Sequence, residues 1–424
     1  MPDAGHLARR LSAAPGPDDR VVIVGASLAG MRSAETLRDR GFAGTITLIG
    51  TETEHPYDRP PLSKQLLSGA WEPNRIELRP AEDIVGKFDL DLRLGVTATA
   101  LDLGSRVVAT TAGDVAFDRL VIAAGTRVRR LPGTEGMPHV HVVRTLADSL
   151  RLRAQLSEGR RVVVIGAGFI GAEVAATAKG RGCDVTILEA LPTPLARQLG
   201  DVMGRACGDL HARNGVSLRT SVQIARIEAD AVVLNDGERV PADVVVVGIG
   251  VSPNVEWLAS SGVWVDDGVR CDDRCHALDA AGMPIDGVVA AGDIARWPNA
   301  LFPALDDPAA PELMRVEHWT NAADMGAHAA GTIMGDDAPF APVPYFWSDQ
   351  YKHKIQFLGR STGFDEVRVV DGDPADASWL ALYRRGERLI GALGVSKVRG
   401  LMGYHKLLEG RASWADALVH AGAS

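Results

Sequence analysis

Residues 160–190 have the sequence RRVVVIGAGFIGAEVAATAKGRGCDVTILEA. A β-branched apolar run ends in the glycine turn GAGFIG, a helix-like stretch follows, and a second short strand ends at Glu189. In such a pattern Gly166 lets the chain turn off the strand, Gly168 lets a pyrophosphate approach the backbone, and Gly171 lets the helix pack on the sheet. The N–H groups at the helix N-terminus bind phosphate. The stretch therefore predicts a dinucleotide-binding βαβ unit.

Glu189 indicates which dinucleotide this unit binds. It follows the glycine turn by roughly 20 residues, where an acid accepts a hydrogen bond from the adenosine ribose 2′-OH. The carboxylate would repel a 2′-phosphate, so we expect NADH rather than NADPH. The alternative is a tight strand-to-helix turn that holds no ligand.

Composition limits the other classes of function. The chain has 424 residues, enough for two or three domains, and a net charge of −9 that disfavours nucleic-acid binding. Its four cysteines do not form a disulfide framework for this size. Cys271 and Cys275 are separated by three residues, not two, with no second pair nearby, so we predict no zinc site and no other metal.

We also expect neither a targeting signal nor a membrane helix. No run reaches the roughly 18 apolar residues of a membrane helix. Residues 1–20 lack an apolar signal core and contain charged residues among alanines and prolines, so we interpret them as a flexible lead-in to a cytoplasmic protein.

Residues 20–50 repeat the strand, glycine turn, helix and strand of the first stretch. The turn here is GASLAG, with Ser27 in the position of the middle glycine. No acidic residue directly follows the second strand, so we predict that Thr51 or Glu52 contacts the ribose. An alternative is a G-x-S-x-G nucleophile elbow around Ser27, but Ala29 replaces its last glycine.

Two such fingerprints in one chain predict two dinucleotides, FAD at the first and NAD at the second. No cysteine precedes Cys183. This absence excludes the dithiol chemistry of glutathione-reductase-like enzymes and the single-cysteine chemistry of NADH peroxidases.

Further stretches, taken with the two fingerprints, resemble one family. They are RPPLSK at 59–64, DRLVIAAGT at 118–126, DVVVVGIGVSPN at 243–254, AAGDIA at 290–295 and YFWSDQY at 345–351. The chain resembles the NADH-dependent ferredoxin reductases of the putidaredoxin reductase and biphenyl-dioxygenase reductase type, with rubredoxin reductases as close relatives. The resemblance spans about residues 21–410.

The resemblance implies an α/β fold. Two Rossmann-like dinucleotide-binding domains would adopt a glutathione-reductase-like arrangement and carry a C-terminal α+β domain. The implied segments are a lead-in at 1–20, FAD-binding parts at 21–142 and 265–331, an NAD-binding domain at 143–264, and an interface domain at 332–424.

The resemblance also implies the cofactor-binding residues. Those for FAD are Gly25, Ser27, Ala29, Gly30, Thr51, Glu52, Arg59, Lys64, Ala98, Ala124, Arg144, Asp293, Trp319 and Trp347. Those for NAD are Gly166, Gly168, Ile170, Gly171, Glu173, Glu189, Arg197 and Gly250. Ordinary alternatives stay open, because a tryptophan is commonly a core residue and an arginine commonly a surface or ion-pair residue.

Lys64 and Glu173 are the implied catalytic residues. In the family such a lysine lies by the flavin edge, where a cation stabilises the anionic reduced flavin, and such a glutamate lies near the nicotinamide carboxamide and pairs with it. Lys64 could instead be a solvated surface lysine. Glu173 could be a first-turn acid that stabilises its helix.

The implied electron acceptor is a small, acidic, transiently bound [2Fe–2S] ferredoxin that serves a cytochrome P450 or a ring-hydroxylating oxygenase. Such a partner needs a basic docking rim, and the candidates are Lys352, Lys354, Arg360, Lys397, Arg399, His405, Lys406 and Arg411. We expect no nucleic-acid or membrane partner, and a monomer or weak homodimer. The alternatives are a rubredoxin reductase, an NADH oxidase or diaphorase without a protein partner, and a non-enzymatic redox-sensing flavoprotein.

Overall fold

The computed structural model describes residues 14–422, which divide into two compact units. Unit 1 contains the described residues up to Asp58, together with Glu77–Arg127 and Ser252–Pro344. Unit 2 contains Arg59–Ile76, Val128–Val251 and the described residues from Tyr345 onward. The part of the predicted lead-in before residue 14 lies outside the described residues, and the five predicted segments stay a prediction.

The strands and helices follow one another along the chain in alternating groups. The strands are β1 Arg20–Val24, β2 Thr45–Gly50, β3 Leu90–Leu94, β4 Ala98–Asp102, β5 Val107–Thr110, β6 Gly113–Ala116, β7 Arg119–Ile122, β8 Thr126–Val128, β9 Val140–His141, β10 Arg161–Ile165, β11 Asp184–Leu188, β12 Ser217–Arg219, β13 Ile224–Ile227, β14 Ala231–Leu234, β15 Arg239–Pro241, β16 Val244–Val247, β17 Val251–Pro253, β18 Val269–Arg270, β19 His276–Leu278, β20 Pro284–Ala290, β21 Ala295–Pro303, β22 Pro311–Met314, β23 Tyr345–Gln350, β24 His353–Gly359, β25 Glu366–Gly372, β26 Trp379–Arg385 and β27 Arg388–Val395. The α-helices are α1 Leu28–Asp39, α2 Gln65–Ser68, α3 Leu146–Gln155, α4 Phe169–Gly180, α5 Ala196–Arg213, α6 Trp319–Ile333, α7 Val398–Met402, α8 Tyr404–Glu409 and α9 Trp414–His420.

Unit 1 is built on a six-stranded sheet of order β19-β20-β7-β1-β2-β3. β20, β7, β1, β2 and β3 run parallel, and β19 is antiparallel at the edge. The β-branched run in β1 is buried, as expected for a parallel strand covered on both faces. Helices α1 and α6 lie close together, as shown by the hydrogen bond that Ser33 Oγ donates to the Gly326 carbonyl oxygen at 2.9 Å. A Cβ at Gly326 would lie only 2.4 Å from the Ala29 carbonyl oxygen.

Unit 2 contains a second parallel sheet, of order β12-β11-β10-β16-β9. Its valine-rich strands pack under α3 and α4 in a core that includes Val164, Val174 and Val246. A separate antiparallel sheet of order β23-β24-β27-β26-β25 is formed by the C-terminal part of the chain. The predicted fold class, with two Rossmann-like regions and a C-terminal α+β domain, is confirmed.

The C-terminal sheet packs against α5. Leu199 and Met203 of α5 share one apolar cluster with Ile355 and Trp379 of the sheet. Further along α5, His211 is 2% exposed, and its Nδ1 shares a hydrogen bond with Tyr351 Oη at 2.7 Å. Burial lowers the pKa of His211 to about 4.

This buried histidine predicts an acid-sensitive element of stability. Its pKa is about 6.5 in the unfolded chain and lower in the fold, so the neutral form is favoured and stability is lost as pH falls from about 6.5 toward 4. We expect a loss of up to about 3 kcal/mol over that window. Urea unfolding at a series of pH values should show this slope, and His211→Gln should flatten it. Equal slopes in the two proteins would contradict the assignment.

Within residues 14–422, the helices are all too short or too polar to cross a membrane.

Candidate functional site

The second fingerprint forms the turn between β10 and α4 in unit 2. Gly166 has φ 100°, and a Cβ there would lie 2.3 Å from the Gly248 carbonyl oxygen. A Cβ on Gly171 would lie 2.1 Å from the Gly166 carbonyl oxygen. Two glycines are therefore required by the packing of the protein itself.

Gly168 differs from both of these glycines. Its φ of −76° and ψ of 177° are open to any residue, and no atom lies within 4 Å of a Cβ built on it. It is the residue before α4, whose N-terminal N–H groups are suited to a phosphate. This open cradle at a helix N-terminus fits a pyrophosphate.

Glu189 closes the same turn from the end of β11. Its Oε2 accepts from the Ala167 N–H at 2.7 Å and its Oε1 accepts from the Leu191 N–H at 2.8 Å. Each carboxylate oxygen keeps a second lone pair for another donor. The carboxylate is thus fixed beside the glycine turn, in a position that suits a ribose hydroxyl.

The other predicted NAD residues lie in the same unit. Ile170 is 50% exposed on the first turn of α4, where it is accessible to a ligand. Gly250 has φ 95° and open space around it. Arg197 is exposed on the first turn of α5.

Glu173 lies on the first two turns of α4 and is the centre of a buried polar cluster. Its side chain is 3% exposed, and Oε2 accepts from Lys64 Nζ at 3.0 Å. Oε2 also accepts from Ser63 Oγ at 2.5 Å, and Oε1 accepts from Ser348 Oγ at 2.8 Å. Gln350 Nε2 donates in turn to Ser348 Oγ at 3.2 Å. The structure thus brings the two predicted catalytic residues into one ion pair.

Ser63 and Ser348 were not singled out in the sequence, although each lies in one of its two most specific stretches, RPPLSK and FWSDQY. Their hydroxyls orient the carboxylate of Glu173, since they fill acceptor positions that Lys64 leaves free. The two stretches meet at the carboxylate of Glu173. Their occurrence in one chain is therefore the sequence signal that could have indicated these two serines.

Several predicted FAD residues lie together in unit 1. Gly25 has φ 123°, and a Cβ there would lie 2.0 Å from the Ala123 carbonyl oxygen. Ser27 precedes α1 in extended conformation and makes no side-chain cap bond to that helix. A Cβ on Gly30 would lie 1.9 Å from the Gly25 carbonyl oxygen. A Cβ on Gly292 would lie 2.9 Å from Ala29 Cβ, so the turn that carries Asp293 lies against the fingerprint helix.

These two turns of unit 1 fit the ADP and ribityl parts of FAD. The open turn before α1 offers N–H groups to phosphate. Asp293 offers acceptors to hydroxyl groups, and Thr126 Oγ1 donates to its Oδ2 at 3.4 Å. Asn254 Nδ2 donates to the Ala124 carbonyl oxygen at 2.8 Å and fixes that turn.

The two candidates for the ribose contact differ in their partners. Thr97 Oγ1 donates to Thr51 Oγ1 at 3.2 Å, whereas Glu52 accepts from the Tyr57 hydroxyl. Ala98 starts the strand that follows Thr97. Both candidates therefore stay predictions.

The remaining predicted FAD residues occupy well-defined positions in their own units. In unit 1, Trp319 Nε1 donates to Asp58 Oδ1 at 2.5 Å. In unit 2, Arg59 Nη1 donates to the Arg144 carbonyl oxygen at 2.6 Å, and Trp347 stacks on Tyr345 with ring centroids 6.0 Å apart.

The four cysteines do not supply redox chemistry. All are free and buried. Burial raises the pKa of Cys207 to about 12 and raises the pKa values of Cys183, Cys271 and Cys275 as well. Because the thiolate is the reactive form, these thiols are inert. Within residues 14–422 no cluster of three metal-ligating side chains occurs, and the absence of a metal stays a prediction.

Comparison with known proteins agrees with this geometry. Residues 19–326 match the family described as pyridine nucleotide-disulphide oxidoreductase, and residues 345–422 match the reductase C-terminal family. The chain belongs to the pyridine nucleotide-disulphide oxidoreductases. FAD and NAD(H) are the cofactors of this family. The resemblance predicted from the sequence is confirmed.

Relatives of this oxidoreductase extend over nearly the whole chain. Rhodocoxin reductase of Rhodococcus erythropolis is 37% identical, covering 92% of this chain and 89% of its own. The anthranilate 1,2-dioxygenase system ferredoxin–NAD(+) reductase component of Burkholderia cepacia is 38% identical, covering 92% and 94%. The crystal structure of the covalent putidaredoxin reductase–putidaredoxin complex matches with a TM-score of 0.86 at 32% identity, covering 93% of each chain.

Proposed function

We propose that this protein takes hydride from NADH onto FAD and passes single electrons to a [2Fe–2S] ferredoxin, which feeds a cytochrome P450 or a ring-hydroxylating oxygenase. The observation that carries the proposal is the buried Lys64–Glu173 pair, whose glutamate lies on the helix that begins at the nucleotide fingerprint. The names of the relatives, reductase components for ferredoxins of dioxygenase systems, support the choice of acceptor.

In this proposal some residues bind the nucleotide and others supply charge. When bound, NADH supplies a hydride, and FAD accepts the electron pair and releases electrons singly. Gly168 and the N-terminus of α4 hold the pyrophosphate, and Glu189 accepts from the adenosine ribose. Glu173 fixes the ammonium group of Lys64, which supplies a positive charge for the reduced state of the site.

A cation at Lys64 is useful only if it keeps its charge and position. Burial alone disfavours a charged ammonium group. Glu173 offsets that cost as a counterion, and Ser63 and Ser348 hold Glu173 through its two oxygens. The cluster is therefore a fixed charge, which costs no reorganisation when the electron distribution changes.

The basic rim proposed for the ferredoxin lies in the C-terminal part of the chain. Two of its lysines have acidic partners, since Lys354 pairs with Asp349 and Lys397 with Asp371, each at 2.7 Å. Arginines that the sequence did not indicate add to it. Arg385 and Arg388 are cross-strand neighbours, and burial, together with Arg411 and Arg385, lowers the pKa of Arg388. The grouping of Arg385, Arg388 and Arg411 supports an acidic, transiently bound partner.

Other features of the proposal follow from charge and composition. A net charge of −9 supports the absence of a nucleic-acid partner. We further propose a cytoplasmic location, no membrane partner, and a monomer or weak homodimer.

NADH-driven cytochrome c reduction by the purified flavoprotein tests the function. We expect one member of a panel of [2Fe–2S] ferredoxins to raise the rate at least about tenfold, and salt to reduce that gain. NADPH is the control and should support little activity. Rapid oxygen consumption with NADH, unaffected by any ferredoxin, would contradict the proposal in favour of an oxidase.

A further inference from the structure

Helix α5 contains a break that separates its first turn from the rest. Gly200 has φ 72° and ψ 171°, which are not helical values. In a continuous helix the carbonyls of Gln198 and Leu199 accept from N–H groups four residues later. A break removes those partners, so both carbonyls need other donors.

Two side chains of the C-terminal region supply these donors. Ser361 Oγ donates to the Gln198 carbonyl oxygen at 2.6 Å. Tyr383 Oη donates to the Leu199 carbonyl oxygen at 2.8 Å in a buried position. Phe364 fills the space at the break, since a Cβ on Gly200 would lie 2.6 Å from its ring. The break is therefore stabilised by specific contacts with Ser361, Phe364 and Tyr383 of the C-terminal region.

The turn held in this way carries Arg197. Leu195 and Leu199 on either side of it are 5% and 0% exposed and anchor the turn in the apolar cluster of the sheet. Arg197 itself is exposed and, within residues 14–422, forms no hydrogen bond or ion pair. Its guanidinium is thus available to a ligand while its backbone is fixed.

We propose that Ser361 and Tyr383 are positioning residues for NADH: they hold the first turn of α5 so that Arg197 meets the nucleotide. The inference rests on the proposed function, which assigns Arg197 to the NAD site. It gives the C-terminal domain a role in nucleotide affinity, because the donors come from that domain while the recipient segment follows Glu189. An arginine whose backbone is held in place loses less conformational entropy on binding than one on a mobile turn.

Titration calorimetry of NAD⁺ binding to the intact flavoprotein tests this role without using turnover. We expect Tyr383→Phe and Ser361→Ala each to raise the Kd roughly three- to tenfold. In steady state the KM for NADH should rise similarly while kcat stays unchanged. Tyr404→Phe is the matched control, since Tyr404 is buried in the same domain and, within residues 14–422, has its ring contact with His420 and not with α5.

A double-mutant cycle separates positioning from simple support of the fold. If Tyr383 acts through Arg197, Tyr383→Phe should raise the Kd much less in an Arg197→Ala protein than in the wild type. Equal effects in both backgrounds would overturn the inference. So would Tyr383→Phe and Ser361→Ala proteins with a lower melting temperature and a wild-type Kd, because that result describes a structural cap only.

The same data distinguish failure of the inference from failure of the proposed function. A wild-type protein that binds neither NAD⁺ nor NADH would overturn the function itself. A wild-type protein that binds NAD⁺, but whose affinity is unchanged by Arg197→Ala, would overturn the inference and leave the function standing.

Discussion

Gly168→Ala is expected to abolish tight NADH binding while the protein stays folded. The backbone at Gly168 is extended and suits alanine, and the added methyl group meets no protein atom within 4 Å. The pyrophosphate needs that same space, since the middle glycine of the fingerprint allows its close approach. Losing one charge-assisted contact costs about 2 kcal/mol, so the Kd for NADH should rise roughly 30-fold or more. Calorimetric titration measures it directly.

Gly171→Ala is the matched control for this substitution. Its Cβ would lie 2.1 Å from the Gly166 carbonyl oxygen and 3.3 Å from Val164 Cγ1. Overpacking of this kind costs about 1–3 kcal/mol, so Gly171→Ala should lower the melting temperature as well as the affinity. Gly168→Ala should change stability by less than about 1 kcal/mol, the cost of replacing a glycine before the first helical residue. Wild-type affinity in Gly168→Ala would mean that the turn holds no pyrophosphate.

This contrast between two glycines shows what the sequence can and cannot reveal. The GAGFIG pattern predicts the strand, turn and helix because those features depend on residues close together in the chain. The same pattern assigns Gly171 to the packing of the helix on the sheet and Gly168 to the pyrophosphate. It does not reveal which backbone atoms lie opposite each glycine, because those contacts depend on packing.

The polar cluster around Glu173 was predicted only in part, for a similar reason. Lys64 and Glu173 were expected to pair on the strength of the resemblance. Ser63 and Ser348 were not expected to join them, because they lie 110 and 175 residues from Glu173. Short serine side chains acquire a role only from their neighbours, and no local pattern identifies such neighbours.

The break at Gly200 was missed because a single glycine within a helical pattern has several meanings. It can be tolerated, can end a helix or can allow close packing. Here its meaning depends on Ser361, Phe364 and Tyr383, which are more than 150 residues away. The sequence therefore indicates the nucleotide turns well and the side chains that support them poorly.

Glu173→Gln is expected to slow NADH-dependent reduction of the flavin by roughly 100-fold, about 2.7 kcal/mol of barrier. Glutamine keeps the shape of the side chain, and the hydroxyls of Ser63 and Ser348 can rotate to suit an amide. The negative charge is lost, so the ammonium group of Lys64, 10% exposed, has no counterion 3.0 Å away. A buried ammonium group without its partner is no longer held in position. Stopped-flow absorbance after mixing with NADH measures the rate.

Lys64→Met and Ser348→Ala make this result specific to charge. Lys64→Met removes the cation and should slow flavin reduction about as much as Glu173→Gln, because each variant destroys the same pair. Ser348→Ala removes the 2.8 Å hydrogen bond to Glu173 and the 3.2 Å hydrogen bond from Gln350 but keeps both charges, so its effect should stay below roughly tenfold, about 1.4 kcal/mol. In the Lys64→Met background, Glu173→Gln should add little further loss, since the charge it stabilises is gone. Wild-type rates in both single variants would show that the buried pair supports the fold and takes no part in hydride transfer.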